Sequence, residues 1–201
     1  GAVHVQAHDS RPTVTLQDGT QHSFDHVILA CHADQALALL DDPSPRHRDY
    51  LGRFHYQENR TLLHTDPALM PKSRRVWSSW NYLADGRQRQ DSPRLSVTYW
   101  MNKLQGLPPE RPYFVTLNPL QEPAAEHLIT AFTYHHPIFD EGAMAAQTEL
   151  HQLQGEGRLW FCGSYFGYGF HEDALRSSVD VANALGVTAP WQAQAPKADA
   201  A

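Results

Sequence analysis

The residues best suited to chemistry lie in one run, Gly163-Ser164-Tyr165-Phe166-Gly167-Tyr168-Gly169-Phe170-His171, between the apolar stretch Leu159-Trp160-Phe161-Cys162 and a helical pattern over 172–185. Glycines let the main chain approach a ligand closely. A strand-to-helix junction also aims free N–H groups and the positive end of the helix dipole at whatever sits before it. A cofactor suits such a place. The stretch from Gly167 to Glu172 tracks GxGxxG only superficially, because its third position is Glu172 and no strand carrying a ribose-binding acid is read after it. Glu172 and Asp173 in the first helical turn would repel a diphosphate, which makes a flavin ring or ribityl chain the better guest. A glycine-kinked connection whose acids only complement the helix dipole has the same appearance.

Other chemistries find less support. Thirteen histidines invite a metal, but His4/His8 and His22/His26 fall in strand or turn, where an i,i+4 separation spans about 13 Å at 3.3 Å per residue. His135 and His136 are adjacent and point to opposite faces of a strand, with no Cys or acid at ligand spacing. No metal site is expected. No GxSxG elbow exists, and Ser164 has no paired base at a recognisable spacing, so a serine hydrolase is not indicated. Cys31 and Cys162, each inside an apolar run, read as buried thiols of a reducing compartment, and cytoplasm is the expected location.

Several elements must position the glycine loop. Thr13–Thr20 alternates into Asp18-Gly19, a hairpin signal, and its return leads to Val27-Ile28-Leu29-Ala30-Cys31, an apolar run expected as a strand covered on both faces. Short helices are expected over Ala33–Leu40 and Arg46–Leu51. Leu95, Val97, Tyr99 and Met101 alternate with Ser96, Thr98, Trp100 and Asn102, the pattern of a half-covered strand with one face wet or lining a cavity. Similar strands are expected over 61–64, 76–83, 113–117 and 128–135. A helical region from Glu141 carries Met144, Leu150 and Leu153 and stops near Gly155. Leu159–Cys162 reads as a second doubly covered strand. The last helix, about 172–185, places Leu175, Val179, Ala182 and Leu185 on one face.

The segment from Leu159 to Ala182, with its Gly167-Tyr168-Gly169-Phe170-His171-Glu172-Asp173 core, resembles the C-terminal flavin-binding segment of the flavin-containing amine oxidase and phytoene desaturase superfamily. It is most similar to the bacterial branch of predicted NAD/FAD-binding, amine-oxidase-like proteins. Asp18-Gly19, Phe24-Asp25 and Val27–Ala33 resemble the hairpin and returning strand before the substrate domain in that family, and Tyr134–Asp140 with Ala146-Gln147 matches the branch as well. The family's opening βαβ unit with GxGxxG is absent. Cys162-Gly163-Ser164 stands where relatives have Ala-Gly-Glu, and Ser177-Ser178 where many have Ser-Gly. The resemblance implies FAD in the complete protein, absent from or weakly held by this chain alone. Gly163 and Ser164 would approach the ribityl and pyrophosphate, and Gly169 would let the main chain pass the isoalloxazine. The backbone of Phe170, His171, Glu172, Asp173 and Ala174 would meet the pyrimidine end. A catalytic acid or base is not assigned, since the flavin takes hydride from a C–N or C–C bond and the protein positions the substrate.

The expected fold is α+β: a mixed, largely antiparallel substrate-domain sheet with helices, flanked by the remaining strands and C-terminal helix of an FAD-binding, Rossmann-like domain. Residues 1–32 would be a remnant of that domain, 33–157 the substrate domain, 158–186 the C-terminal strand-loop-helix and 187–201 a flexible tail. Trp77, Trp80, Tyr82, Tyr99, Trp100, Tyr113 and Tyr134 either wall a cavity for a small apolar substrate or serve as ordinary core and sheet-face residues. The 201 residues, 41% hydrophobic and 19% charged with net charge -6, suit one domain or two small ones. No apolar run reaches the roughly 18 residues of a membrane span. Scattered Lys and Arg argue against nucleic-acid partners. Two other readings stay open: a cofactor-free ligand-binding module, and an inactive truncated remnant that self-associates through exposed strand edges.

Overall fold

A computed structural model describes residues 1–7, 10–85 and 94–193. His8 and the tail beyond 193 lie outside the described residues. The chain divides into two compact units, residues 1–56 with 137–201, and residues 57–136.

In the first unit, β1 (Ala2–Gln6), β2 (Thr13–Leu16) and β3 (Gln21–Ser23) form an antiparallel meander. The β2–β3 turn forms as expected: Gly19 takes φ 82°, and the Asp18 carboxylate accepts the Thr20 N–H at 2.9 Å. β4 (Val27–Leu29) pairs in parallel with β10 (Leu159–Phe161). These two runs are not covered on both faces. Leu29, Leu159 and Phe161 turn into the core, whereas Ile28 is 49% exposed. Among the described residues this sheet has two strands and one open face, so continuous apolarity here marks a surface as well as a core.

Helices α1 (Ala33–Leu39), α2 (Pro45–Leu51) and α4 (Glu141–Gln147) supply Ala33, Ala36, Leu51, Ala143 and Ala146 to the same core. Their starts are set by local chemistry: the Ser44 hydroxyl accepts the His47 N–H with Pro45 behind it, and Asp140 accepts the Ala143 N–H at 2.8 Å. Helix α5 (His171–Ala184) differs from expectation in its inner face, which consists of Asp173, Ser177 and Val181, while Leu175 is exposed. The loop before α5 needs acceptors, and those two polar side chains provide them. The last element among the described residues is one helical turn, α6 (Pro190–Ala193).

The second unit is built on five strands in the order β6-β7-β8-β5-β9, with β5 (His55–His64), β6 (Trp80–Ala84), β7 (Leu95–Trp100), β8 (Phe114–Leu117) and β9 (Leu128–Ile138). The α+β class is as the sequence implies. Two strands are shorter than expected. Residues 74–76 make a 3-10 turn, so β6 begins at Trp80, and helix α3 (Met101–Gln105) begins where the alternation of β7 was expected to continue. There the Asn102 amide donates to the carbonyls of Pro108 and Arg111 and accepts the Tyr113 N–H, which fixes a turn instead of a strand end.

The alternation in β7 is real but has the opposite sense to a usual half-buried strand. Ser96 and Thr98 are buried, and Leu95 is half exposed. The inward face is held by a directed hydrogen-bond chain. Asp66 donates its N–H to His64 Nδ1, which leaves the proton on Nε2, 2.7 Å from Thr116 Oγ1. Thr116 then pairs with Thr98 Oγ1 at 2.9 Å, and Thr98 donates to the Leu69 carbonyl. Phe114 packs against the His64 ring at 5.5 Å, and Leu62, Leu69 and Met70 are buried in the same unit.

Candidate functional site

The loop between β10 and α5 is held by three side chains. Ser177 Oγ accepts the Gly163 N–H at 3.0 Å, so the start of the loop is tied to the second turn of α5. Gln147, on α4, donates its side-chain amide to the carbonyls of Tyr165 and Gly167. Asp173 accepts the N–H groups of Tyr168 at 2.9 Å and Phe170 at 3.1 Å, and its other oxygen pairs with Arg176 at 2.6 Å. The two loop amides, Phe170 first, together with Arg176, hold the Asp173 carboxyl below its ordinary value.

Glycine is required at each turn of this loop for a different neighbour. A Cβ on Gly167 would lie 2.2 Å from the Asp173 carboxyl, and one on Gly163 would lie 2.7 Å from the Tyr165 ring. Gly169 has φ 88°, and its Cβ would meet Phe139 at 3.1 Å. These distances show a folded loop whose main chain is tightly enclosed on the protein side.

Asp173 donates its own N–H to the Phe170 carbonyl, and Ala174 does the same at 3.3 Å. The N–H groups of His171 and Glu172, the first two residues of α5, have no acceptor among the described residues. Tyr168 and Phe170 are about two-thirds exposed beside them. Of the eight expected cofactor-binding residues, the structure gathers Gly163, Ser164, Gly169, Phe170, His171, Glu172, Asp173 and Ala174 into one loop and first turn. It divides their roles: Asp173 braces, and His171 and Glu172 present free amides.

Ser177 and Gln147 are braces that sequence reasoning did not identify. A signal existed for one of them, since Asp173, Ser177 and Val181 recur at four-residue spacing, as an inward stripe must. Gln147 stands in the sequence only as part of a motif match, and its bracing role cannot be read locally because its partners lie 18 and 20 residues away.

Histidines elsewhere serve local bonds. His4 pairs with Asp41, His26 accepts the Trp160 indole N–H, and His135 and His136 turn separately to Glu58 and Asn59. Among the described residues no three His, Cys, Asp or Glu side chains gather to hold a metal ion. Both cysteines are free, and Cys162 is buried. Cys31 is half-buried, and that burial pushes its thiol up.

In the second unit the register places Trp80, Tyr99, Val115 and Leu63 across one sheet face, with Tyr82, Val97 and Leu117 beside them. The hydrogen bond from Asn59 to His136 puts Tyr134 and Phe132 of β9 on that face as well, by strand alternation. Trp80, Tyr82, Phe132 and Tyr134 are all exposed there. A cavity of about 490 Å³ lies on this face, lined by Arg94, Leu95, Val97 and Leu117 and by Gln57, Asn59 and Asn118. Trp77 and Trp100 belong to the other side, packed edge to face at 5.4 Å. The aromatic set therefore splits between an open wall and a core.

No family model and no curated protein matches this sequence. Solved structures do, and the chain shares its fold with part of each of them. They include a CLA-producing fatty acid isomerase from P. acnes (TM-score 0.60, 14% identity, 92% of this chain and 47% of that one). A reduced UDP-galactopyranose mutase matches with TM-score 0.59 and 12% identity over 92% of this chain and 46% of that one. Putrescine oxidase bound to putrescine matches with TM-score 0.57 and 13% identity over 92% and 48%. The chain spans about half the length of each. At such identities the likeness is one of fold. No helix among the described residues is long and apolar enough to cross a membrane.

Proposed function

We propose that this chain supplies the substrate-binding sheet and the ring-contacting loop of an FAD-dependent oxidoreductase acting on a C–N or C–C bond of a small apolar substrate. The observation that carries the reading is the loop before α5, braced by Ser177, Gln147 and Asp173 and ending in two unpartnered amides. FAD, when bound, supplies the hydride acceptor. The residues fit its ring end: the His171 and Glu172 N–H groups would donate to the pyrimidine carbonyl region, where the helix terminus favours negative charge. Gly169 takes the positive φ that turns the main chain against Phe139 and into the start of α5, and Gly163 and Ser164 would face the ribityl chain. The exposed Glu172 carboxylate opposes a diphosphate at the same spot, so the pyrophosphate would be bound elsewhere.

The open aromatic face of the second unit is the proposed substrate wall. Its Trp and Tyr rings bury an apolar body, and the Asn59–Asn118 amides, joined at 2.7 Å, orient a polar end. These groups position the substrate and exclude water. Localisation in the cytoplasm remains part of the proposal.

An FAD titration of the chain, followed by flavin fluorescence and the visible spectrum, tests the loop. In the complete protein, Gly169→Val, which meets both a positive φ and Phe139, is expected to weaken FAD retention at least tenfold. Unchanged retention would sink the loop assignment. If the folded chain binds no flavin but takes up apolar ligand at the sheet face, the cofactor-free binding module is the better reading.

A further inference from the structure

The sheet's opposite side carries a second pocket that the proposed reaction does not use. We infer that this pocket, between the segment 67–77 and Pro112, binds a small organic anion: a carboxylate on a compact aryl or acyl body. It has a volume of about 340 Å³ and is lined by Pro67, Met70, Pro71, Pro112, Lys72 and Arg74. That size suits a small ligand.

Charge selects the ligand's sign. Lys72 and Arg74 both line the pocket, Arg75 follows, and none of the three forms an ion pair with an acid of the described residues. In a chain of net charge -6, an unpaired run of three cations within four residues is a local excess of the opposite sign. An amine would be repelled from it.

Preorganisation selects the geometry. Arg74 sits over the Trp77 ring, 4.9 Å from its centroid, so the guanidinium is placed without spending its N–H donors on a side-chain acceptor. Trp77 is itself fixed: its indole N–H donates to the Pro71 carbonyl at 2.8 Å, and its ring packs edge-on against Trp100 and Phe114. The guanidinium therefore offers a bidentate donor set at a defined position, and Lys72 adds a mobile ammonium. The floor is apolar and rigid, since Met70 is buried and prolines hold the backbone on both sides. A carboxylate with an apolar body satisfies both parts, whereas inorganic anions satisfy only one.

The inference stands independently of the flavin reading. The test follows the indole N–H resonance of Trp77, assigned with Trp77→Phe, while 4-phenylbutyrate or its uncharged amide is added. The carboxylate is expected to shift that resonance saturably, and the amide to need at least ten times the concentration. Lys72→Gln with Arg74→Gln should weaken carboxylate binding at least tenfold, with the Trp160 resonance unmoved as evidence of folding. Equal titration by the amide, undiminished binding to the double variant, or a shift only at Trp80 on the other sheet face would overturn the inference.

Discussion

Asp173 illustrates how one side chain can decide the form of a loop. Its two oxygens take up the Tyr168 and Phe170 amides and the Arg176 guanidinium, which leaves the His171 and Glu172 amides as the free donors of the turn. Asp173→Asn keeps one acceptor oxygen but loses the charge. Hydrogen exchange at the Tyr168 and Phe170 amides is expected to speed up by about an order of magnitude, read by NMR. Because the carboxyl is held below its ordinary value of 3.8, the loop's order is fully present above that pH. It is lost as pH falls through the lower, folded value. The same two amides, followed downward from pH 6, check this; protection lost with a midpoint at or above pH 3.8 would refute it.

At the scale of elements, the five-stranded sheet is fastened by polar groups where most sheets use aliphatic ones. The chain from Asp66 through His64, Thr116 and Thr98 to Leu69 crosses β5, β8 and β7 with each donor matched to an acceptor. Thr116→Val strands the buried His64 N–H and is expected to cost about 1–3 kcal/mol, measured as a lowered urea midpoint. Burial depresses the basicity of His64, and of His47 in the first unit. The unfolded chain therefore binds these protons more readily, so stability is highest above the ordinary value of 6.5 and falls as pH drops through it. Urea midpoints at pH 8 and pH 5.5 measure the difference; a midpoint that rises on acidification would contradict the assignment.

At the scale of the molecule, two apolar surfaces are open among the described residues: the Ile28 side of β4 and β10, and the aromatic sheet face. An open two-stranded parallel pair with an exposed Ile favours self-association. The weight-average sedimentation coefficient is expected to rise with concentration, and Ile28→Glu to suppress the rise. A concentration-independent monomer would refute the expectation.

Much of this was legible from the residues alone. Period-2 alternation, Asp18-Gly19 and the glycine loop act through neighbours within a few positions, so the hairpin and the strand-loop-helix could be read directly. The motif at 163–173 also carried the fold resemblance. Which side of each element faces inward was decided only by tertiary structure. Thr98 is buried because Thr116 and the Leu69 carbonyl arrive from other parts of the chain to pair with its hydroxyl, and Asp173 turns inward because the loop amides require it. Gln147 reaches the loop from a helix 18 and 20 residues upstream of its partners. Local spacing cannot report such choices, because a polar side chain is buried only where the fold delivers its hydrogen-bond partner from a distant part of the chain.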